Sequence, residues 1–136
     1  MIKEIWKDIK DYEGLYQVSN LGNVRSVENY IGVNNKFKRK IKQKILKPSV
    51  VYNGYLRICL AKNGVHKMFR VHRLVAQTFL SNINNYEDVN HKDGNKQNNC
   101  VNNLEWCSRK QNIIHSWKNG FSKPHNTRKK LGEDKE

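Results

Sequence analysis

The segment between residues 81 and 103 is unusually rich in asparagine, and this composition limits the structures that the chain can form. Nine residues of the segment are asparagine: Asn82, Asn84, Asn85, Asn90, Asn95, Asn98, Asn99, Asn102 and Asn103. Asparagine side chains bond to their own backbone and so favour turns over regular elements. We therefore predict a looped region, interrupted by a short strand at residues 89–91 and followed by a second strand at residues 104–106.

A helix is predicted directly after the second strand. Ser108 and Gln111 have the spacing of a capping box, in which each side chain bonds to the backbone of the other residue. Apolar residues then recur at helical spacing, which predicts a buried face formed by Ile113, Ile114 and Trp117. Two strands, a connecting loop and a capped helix together form a ββα unit.

The residues before this unit predict further strands and one more helix. Asn63-Gly64 is a strong hairpin signal within a β-meander at residues 50–71, because both residue types adopt positive φ readily. The segment HRLVAQTFL that follows has helical apolar spacing. Residues 16–18 and 23–27 alternate as a short hairpin would. We therefore expect an α+β fold, in which a small ββα core is preceded by a β-hairpin and meander module.

The length of the chain bounds its organisation. With 136 residues, of which 37% are hydrophobic, it can form one compact domain or two very small modules that share a core. We expect an N-terminal module at residues 1–49 and a second domain at residues 50–120, with its ββα core at about residues 87–119. The second helix is expected to end at Asn119-Gly120, and residues 121–136 to form a loosely ordered tail.

The charge of the chain points to a polyanionic partner. It has 26 Lys and Arg residues against 12 Asp and Glu residues, a formal net charge of +14. Lysine and arginine bind nucleic-acid phosphates with release of condensed counterions. The densest positive stretch, at residues 36–47, includes Lys38, Arg39 and Lys40. It could follow a phosphate backbone or form a solvated, mobile loop; the mutual repulsion of the charges favours the first interpretation.

Other classes of protein fit the sequence less well. No apolar run approaches the ~18 residues that span a bilayer, and the N-terminus lacks the apolar segment of a signal peptide, so we expect a cytoplasmic protein. The three cysteines form no C-x-x-C pair, which argues for reduced thiols and against a structural zinc site. No aromatic signature of RNA-binding domains is present.

Four residues of the ββα unit suit the hydrolysis of a phosphodiester bond: Asn90, His91, Asn103 and Asn112. A neutral histidine can accept a proton from an attacking water, and amide oxygens suit a hard cation such as Mg²⁺. If the helix packs across the hairpin, Asn90 and Asn112 could hold one ion between them. His91 would then point to the other side of its strand, or along it.

Two segments in this order, VHRLVAQTFL and DVNHKDGNKQNNCVNNLEWCSRKQNIIH, resemble the HNH homing endonucleases of phages and introns. The resemblance extends from Tyr55 to His115. The earlier segment EIWKDIKDYEGLYQVSNLGNVRSV resembles the nuclease-associated module that often precedes such a domain. The resemblance implies a homing-type DNA endonuclease that nicks double-stranded DNA with one divalent cation, Mg²⁺ or Mn²⁺, and without zinc. It also implies that the cytoplasm is that of a bacterial or phage-infected cell.

The resemblance also implies a role for each of the four residues. His91 falls on the general base, and Asn90 and Asn112 fall on the two metal-ligand positions. Asn103 falls on the middle asparagine, which pins the loop and orients the base through a hydrogen bond. Many members carry Asp where this chain has Asn90, so the ion would depend more on the DNA phosphate. A DNA-binding protein with a decayed site is therefore the alternative function.

Further contacts with DNA or phosphate are expected from His72, Arg57, Arg70, Arg109, Lys110 and His115. His72 suits a capping or packing role equally well, and His115, which shares a helix face with Asn112, could instead be an ordinary exposed histidine. Asp93 could supply charge through a water molecule, although the turn Asp93-Gly94 explains it better. The sequence leaves open the target site, nicking or double-strand cleavage, the oligomeric state, a partner protein that adds specificity, and a homing or repair role.

Overall fold

The structure, a computed structural model, describes residues 2–32 and 38–118 of the chain. The described residues form short strands, one 3₁₀ turn and two α-helices. In chain order these are β1 (Trp6–Asp8), β2 (Tyr16–Ser19), β3 (Val24–Ser26), β4 (Asn29–Gly32), β5 (Lys38–Ile41), β6 (Lys44–Ile45), β7 (Ser49–Val50), β8 (Leu56–Lys62), β9 (Val65–Arg70), α1 (Val71–Phe79), β10 (Asp88–His91), a 3₁₀ turn (Val101–Asn103), β11 (Leu104–Cys107) and α2 (Arg109–Lys118). The α+β class expected from the sequence is confirmed.

The N-terminal part forms an antiparallel sheet in the order β1-β2-β3-β6. The hairpin predicted from residues 16–18 and 23–27 corresponds to β2 and β3, in which Val18 lies opposite Val24. Both valine side chains are buried. The alternation of apolar and polar residues along these strands therefore turns one face of the sheet towards the core.

The basic segment near residue 40 forms part of a β-ribbon, which the sequence analysis did not predict. β5 pairs antiparallel with β4, and Lys40 forms an ion pair with Glu28 at 3.4 Å. Lysine and arginine are common in loops and are weak strand formers. A segment rich in them therefore gives no strand signal of its own, and β5 depends on its pairing with β4. Arg39 and Lys40 are exposed, whereas residues 33–37 lie outside the described part of the chain.

The predicted meander and first helix are confirmed. β8 and β9 form an antiparallel hairpin whose turn residues Asn63 and Gly64 have φ values of 52° and 77°, as a two-residue turn of this kind requires. Ile58 and Leu60 of β8 point into the core. α1 follows β9 without a connecting loop and packs its buried face over the same core.

The ββα unit is formed by β10, β11 and α2. The two strands pair antiparallel from Asp88 opposite Cys107 to His91 opposite Leu104. At the start of α2 the capping box is complete: Ser108 N donates to Gln111 Oε1 at 3.0 Å, and Gln111 N donates to Ser108 Oγ at 3.1 Å. The helix therefore begins where the sequence predicted.

The N-terminal sheet and the ββα unit share one hydrophobic core. Val18 and Val24 from the first part pack in the same cluster as Leu60 and Val75 from the middle and Leu104 from β11. The core thus crosses residue 49, where the sequence analysis divided the chain, and the division at that residue stays a prediction. In the parts of the chain that the structure describes, no helix is long and apolar enough to cross a membrane.

The predicted apolar face of α2 is wrong for two of its three residues. Ile113 and Trp117 are 43% and 44% exposed, whereas Ile114 is half-buried, as are Asn112, His115 and Ser116. The half-buried polar residues recur three and four positions apart and therefore share one face of the helix. This face contacts β10 through the hydrogen bond between Asn112 and Asp88. The predicted helix stop at Asn119-Gly120 and the tail at residues 121–136 lie outside the described residues.

Candidate active site

β10 separates the candidate base from the candidate ligands. Successive side chains of a strand point to opposite faces, so Asp88 and Asn90 share one face and Val89 and His91 share the other. On the first face Asp88 reaches Asn112 of α2. On the second face the ring of His91 lies against Tyr55 and His72. His91 thus points to the side of its strand opposite Asn90, the first of the two orientations that the sequence left open.

A hydrogen bond to Asn99 fixes the ring of His91. Nε2 of His91 lies 2.7 Å from Oδ1 of Asn99, and both residues are buried. Because an amide oxygen can only accept, Nε2 carries the proton in this arrangement and Nδ1 keeps its lone pair. This tautomer leaves Nδ1 as the atom that can accept a proton from water.

The expectation that Asn103 orients His91 is therefore wrong in its contact, although Asn103 does hold the loop. Its Oδ1 accepts from Asp93 N at 3.1 Å, and its Nδ2 donates to Asp93 Oδ1 at 2.8 Å and to Asn98 O at 2.9 Å. The short 3₁₀ turn before β11 directs Asn103 towards Asp93 rather than towards the histidine. Its place among the catalytic residues stays a prediction.

Asp93 belongs to the loop, as the turn interpretation required. Its carboxylate also accepts from Asn95 N at 2.8 Å and from Asn98 Nδ2 at 2.9 Å. These bonds lower the pKa of Asp93, the contribution of Asn98 being the largest. The carboxylate is therefore ionised and fully engaged in closing the loop that follows His91.

Burial determines the protonation state of His91. Removal of the ring from water lowers its pKa, and this effect prevails over the bond to Asn99 and the charge of Asp93, which act in the opposite direction. Desolvation disfavours the imidazolium form. His91 is therefore neutral at neutral pH and able to act as a base.

His72 packs in the site rather than on its surface. Its ring stacks on Tyr55 with centroids 4.9 Å apart and lies 5.0 Å from the ring of His91. Burial, followed by the charges of His91, Arg73 and Arg70, lowers the pKa of His72 to about 3. The sequence left open whether His72 contacts phosphate or has a capping or packing role. The geometry favours packing, because the neutral ring of His72 lies against the ring of the candidate base.

The candidate ligands offer oxygen atoms without bonds to the described residues. Asn90 is only 7% exposed, and its side chain makes no hydrogen bond within the described part of the chain. Asn112 Nδ2 donates to Asp88 Oδ2 at 3.4 Å, which turns Oδ1 of the amide away from the carboxylate. Among described residues, no group of three or more His, Cys, Asp or Glu side chains could hold a metal. The amide oxygens of Asn90 and Asn112 are of the kind that fits a hard divalent cation, and their role as ligands stays a prediction.

Basic side chains surround the start of α2. Arg109 N donates to Glu87 Oε1 at 2.7 Å, and its guanidinium lies 3.6 Å from Asp88 Oδ1. The Arg109 side chain is 70% exposed, and Lys110 is exposed beside it. His115 is half-buried on the face that carries Asn112. Two of the predicted phosphate contacts, Arg109 and Lys110, thus lie together at the start of α2, whereas His115 lies in its last turn.

Other predicted contacts lie elsewhere. Arg57 and Arg70 are opposite each other across β8 and β9, and Arg70 is close enough to His72 and Tyr55 to influence the pKa of both. Arg39 and Lys40 belong to the separate β4–β5 ribbon. Lys38 is the first residue of β5 in the same ribbon.

None of the three cysteines forms a disulfide bond. Cys59, Cys100 and Cys107 are all free, and Cys107 is buried. Burial, followed by the charges of Asp88, Glu105 and Glu87, raises the pKa of Cys107 to about 11. The thiol therefore stays protonated at neutral pH, and the protonated form is a poor ligand.

Three residues of the site were missed by the sequence analysis. Asn99 could not be distinguished from its eight asparagine neighbours. Lys96, which donates to Asn53 O at 2.8 Å and lies 4.8 Å above the Tyr55 ring, carried no signal beyond its charge. Asp88 could have been found, because it is two residues before Asn90 and so lies on the same face of a strand.

Comparison with known families gives matches over both parts of the chain. Residues 4–61 match the family model of the NUMOD4 motif, and residues 69–113 match that of an HNH endonuclease. An uncharacterized HNH endonuclease of Acanthamoeba polyphaga mimivirus is 54% identical over 72 residues, which are 53% of this chain and 22% of that protein. The DNA endonuclease I-HmuI of Bacillus phage SP01 is 44% identical over 115 residues, 85% of this chain and 59% of that protein.

A solved structure of the HNH homing endonuclease I-HmuI, concerned with its DNA binding and cleavage, resembles this structure. The TM-score is 0.71 at 42% sequence identity, over 88% of this chain and 62% of that one. The chain thus spans about three fifths of the length of I-HmuI and about a fifth of the mimivirus protein. The resemblance to this family noted in the sequence is confirmed.

Proposed function

Because the chain belongs to the HNH homing endonucleases and carries a NUMOD4 motif ahead of its HNH domain, we propose that it is a metal-dependent endonuclease that hydrolyses phosphodiester bonds of double-stranded DNA. The observation that carries the proposal is the buried, neutral His91, whose Nε2 is held by Asn99. A buried histidine of fixed tautomer, next in sequence to an amide that offers a ligand oxygen, suits general-base hydrolysis of a phosphodiester.

In this mechanism His91 Nδ1 takes the proton of the attacking water. Asn99 stabilises the imidazolium that results, because its oxygen accepts from the protonated Nε2. His72 and Tyr55 exclude water from the other side of the ring. Arg109 and Lys110, at the exposed start of α2, bind the phosphates on either side of the bond that breaks.

Asn90 and Asn112 would hold one divalent cation, Mg²⁺ or Mn²⁺. When bound, the cation supplies a positive charge that stabilises the phosphoryl oxygens and the leaving oxygen as the bond breaks. The two amides are neutral, so the DNA phosphate and Asp88 provide the negative charge near the ion. One such site per chain makes a monomer a nicking enzyme.

The proposal is tested by incubating supercoiled plasmid and phage genomic DNA with the protein and Mg²⁺, Mn²⁺ or EDTA. We expect conversion of supercoiled plasmid to the nicked form with either ion and none with EDTA. DNA binding is measured in the same buffers by gel shift. Binding without cleavage, with both ions and on both DNAs, would replace the proposal by the alternative of a DNA-binding protein with a decayed site.

Asp88→Asn is expected to weaken the affinity for the metal ion rather than the affinity for DNA. The carboxylate orients the amide of Asn112 and is the charged group on the ligand face of β10. Loss of a residue that supports a ligand lowers metal affinity by about 10- to 100-fold. We expect the Mg²⁺ concentration for half-maximal nicking to rise by about that factor, and Mn²⁺ binding, followed by electron paramagnetic resonance, to weaken in parallel.

The matched control for this variant is Asp8→Asn, which makes the same change of charge on β1, where Asp8 bonds to Gln17. The control is expected to keep the Mg²⁺ dependence of the unchanged protein. Equal Mg²⁺ dependence of all three proteins would remove Asp88 from the proposed site.

A further inference from the structure

The turn between β2 and β3 of the N-terminal part, residues 19–23, is held rigid by its own bonds. Ser19 N donates to Asn23 O at 2.8 Å, and Gly22 N donates to Ser19 O at 3.0 Å. The Ser19 hydroxyl accepts from Leu21 N at 3.2 Å and Asn23 N at 3.1 Å. Ser19 is fully buried. We refer to residues 19–23 as the 19–23 turn.

Asn20 connects the 19–23 turn to the N-terminal residues and to the segment between β10 and β11. Its Oδ1 accepts from Ile5 N at 2.8 Å, and its Nδ2 donates to Lys3 O at 3.0 Å. Its backbone oxygen accepts from Val101 N at 2.8 Å. Val101 is two residues after Asn99, so this bond ties the loop between β10 and β11 to the N-terminal part.

Gly22 touches the residue that holds the candidate base. It has a φ of +91°, and a Cβ at this position would lie 2.9 Å from both Cβ and O of Asn99. Real Cβ atoms do not approach other atoms so closely, so only glycine allows this contact. Asn99 in turn bonds to His91 Nε2 at 2.7 Å. A continuous series of contacts therefore runs from the 19–23 turn through Asn99 to His91.

We propose that the 19–23 turn is a positioning element of the active site, which holds Asn99 in place and thereby fixes the orientation and tautomer of His91. The proposal rests on the proposed role of His91 as the general base. It gives the N-terminal part a function in the chemical step, in addition to any contact with DNA. Cleavage by the ββα unit then depends on a segment about 70 residues earlier in the chain.

Gly22→Ala tests the proposal, with Gly14→Ala as its matched control. Gly14 also has a positive φ, +77°, but a Cβ there meets nothing within 4 Å. Both variants carry the backbone strain of alanine at positive φ, whereas only Gly22→Ala displaces Asn99. Displacement of a catalytic group by about 1 Å costs about 10²-fold in rate. We expect kcat to fall by about that factor in Gly22→Ala, with the dissociation constant for DNA unchanged.

A spectroscopic measurement separates positioning from simple loss of stability. Long-range ¹H–¹⁵N correlations of histidine side chains report which ring nitrogen carries the proton. We expect the Nε2–H tautomer of His91 in the unchanged protein and in Gly14→Ala, and a mixture of tautomers in Gly22→Ala. If Gly22→Ala cleaves at the unchanged rate and keeps the single tautomer, the proposal is overturned.

Asn99→Ala completes a double-mutant cycle. If the 19–23 turn acts through Asn99, the double variant Gly22→Ala/Asn99→Ala is no slower than Asn99→Ala alone; additive losses contradict the proposal. Should Gly22→Ala fail to fold, Asn20→Ala loosens the turn without an overlap of atoms, and it is expected to lower kcat in the same direction. An unchanged kcat in Asn20→Ala, with Gly22→Ala unfolded, also overturns the proposal.

The same measurements distinguish failure of this proposal from failure of the proposed function. If the unchanged protein does not cleave DNA with either ion, the proposed function fails, whatever the variants do. If it cleaves and His91→Ala does not, the function stands. The rate and tautomer of Gly22→Ala then decide the role of the turn.

Discussion

His91→Ala is expected to lower the rate of DNA cleavage by about 10²- to 10⁴-fold at saturating metal and DNA, which is the usual contribution of a general base. The variant removes the only atom that accepts the proton in the proposed step. It leaves Arg109, Lys110 and the ligand amides in place, so the affinity for DNA is expected to persist. Rates are measured as single-turnover nicking of supercoiled plasmid, and affinity by gel shift.

The control for this variant is His66→Ala, because His66 is exposed on β9 and bonds only weakly to Cys59 at 3.9 Å. We expect it to cleave at the unchanged rate. Thermal unfolding of His91→Ala shows whether the buried site tolerates the smaller side chain. A folded His91→Ala protein that cleaves within a few-fold of the unchanged rate would remove His91 from the mechanism.

Leu60→Ala is expected to destabilise the whole described fold and not one half of it. Leu60 is 0% exposed, in the cluster that also contains Val18 and Leu104. Replacement of a buried leucine by alanine costs about 2–5 kcal/mol, through lost burial and the cavity that remains. At roughly 3–5 °C per kcal/mol for a domain of this size, the melting temperature should fall by about 6–25 °C.

The number of unfolding transitions is as informative as the melting temperature. Because the N-terminal sheet and the ββα unit share the core, tryptophan fluorescence and far-ultraviolet circular dichroism should report a single, coincident unfolding transition. Ile83→Ala is the control, since Ile83 is 85% exposed, and it should change stability by no more than about 0.5 kcal/mol. Two separate transitions in Leu60→Ala would show that residues 1–49 and 50–120 fold as independent modules.

Local features of the chain could be predicted because their causes are local. The capping box of Ser108 and Gln111 and the turn at Asn63-Gly64 depend on two residues each, and both are present in the structure. The positions of His91, Asn90 and Asn112 on strand and helix followed from the same patterns. The sequence therefore placed the elements of the candidate site correctly.

Contacts that depend on distant residues could not be predicted in the same way. Asn99 and Asn103 are both loop asparagines, yet in the structure Asn99 packs against Gly22 and bonds to His91, whereas Asn103 bonds to Asp93. The outward orientation of Ile113 and Trp117 has a similar origin, because Asp88 attracts the opposite, polar face of α2. In both cases a contact with a residue that is distant in sequence accompanies an orientation that the local pattern does not determine.

The hydrogen bonds of Asp93 have a consequence for the fidelity of folding. A strand that pairs one residue out of register presents the opposite face with every side chain. In β10 such a slip would turn Asn90 to the face that now carries His91, and His91 to the face that now carries Asn90. The hydrogen bonds among Asp93, Asn98 and Asn103 close the loop that connects β10 to β11. We therefore expect this closed loop to favour the register in which His91 and Asn90 keep their present faces.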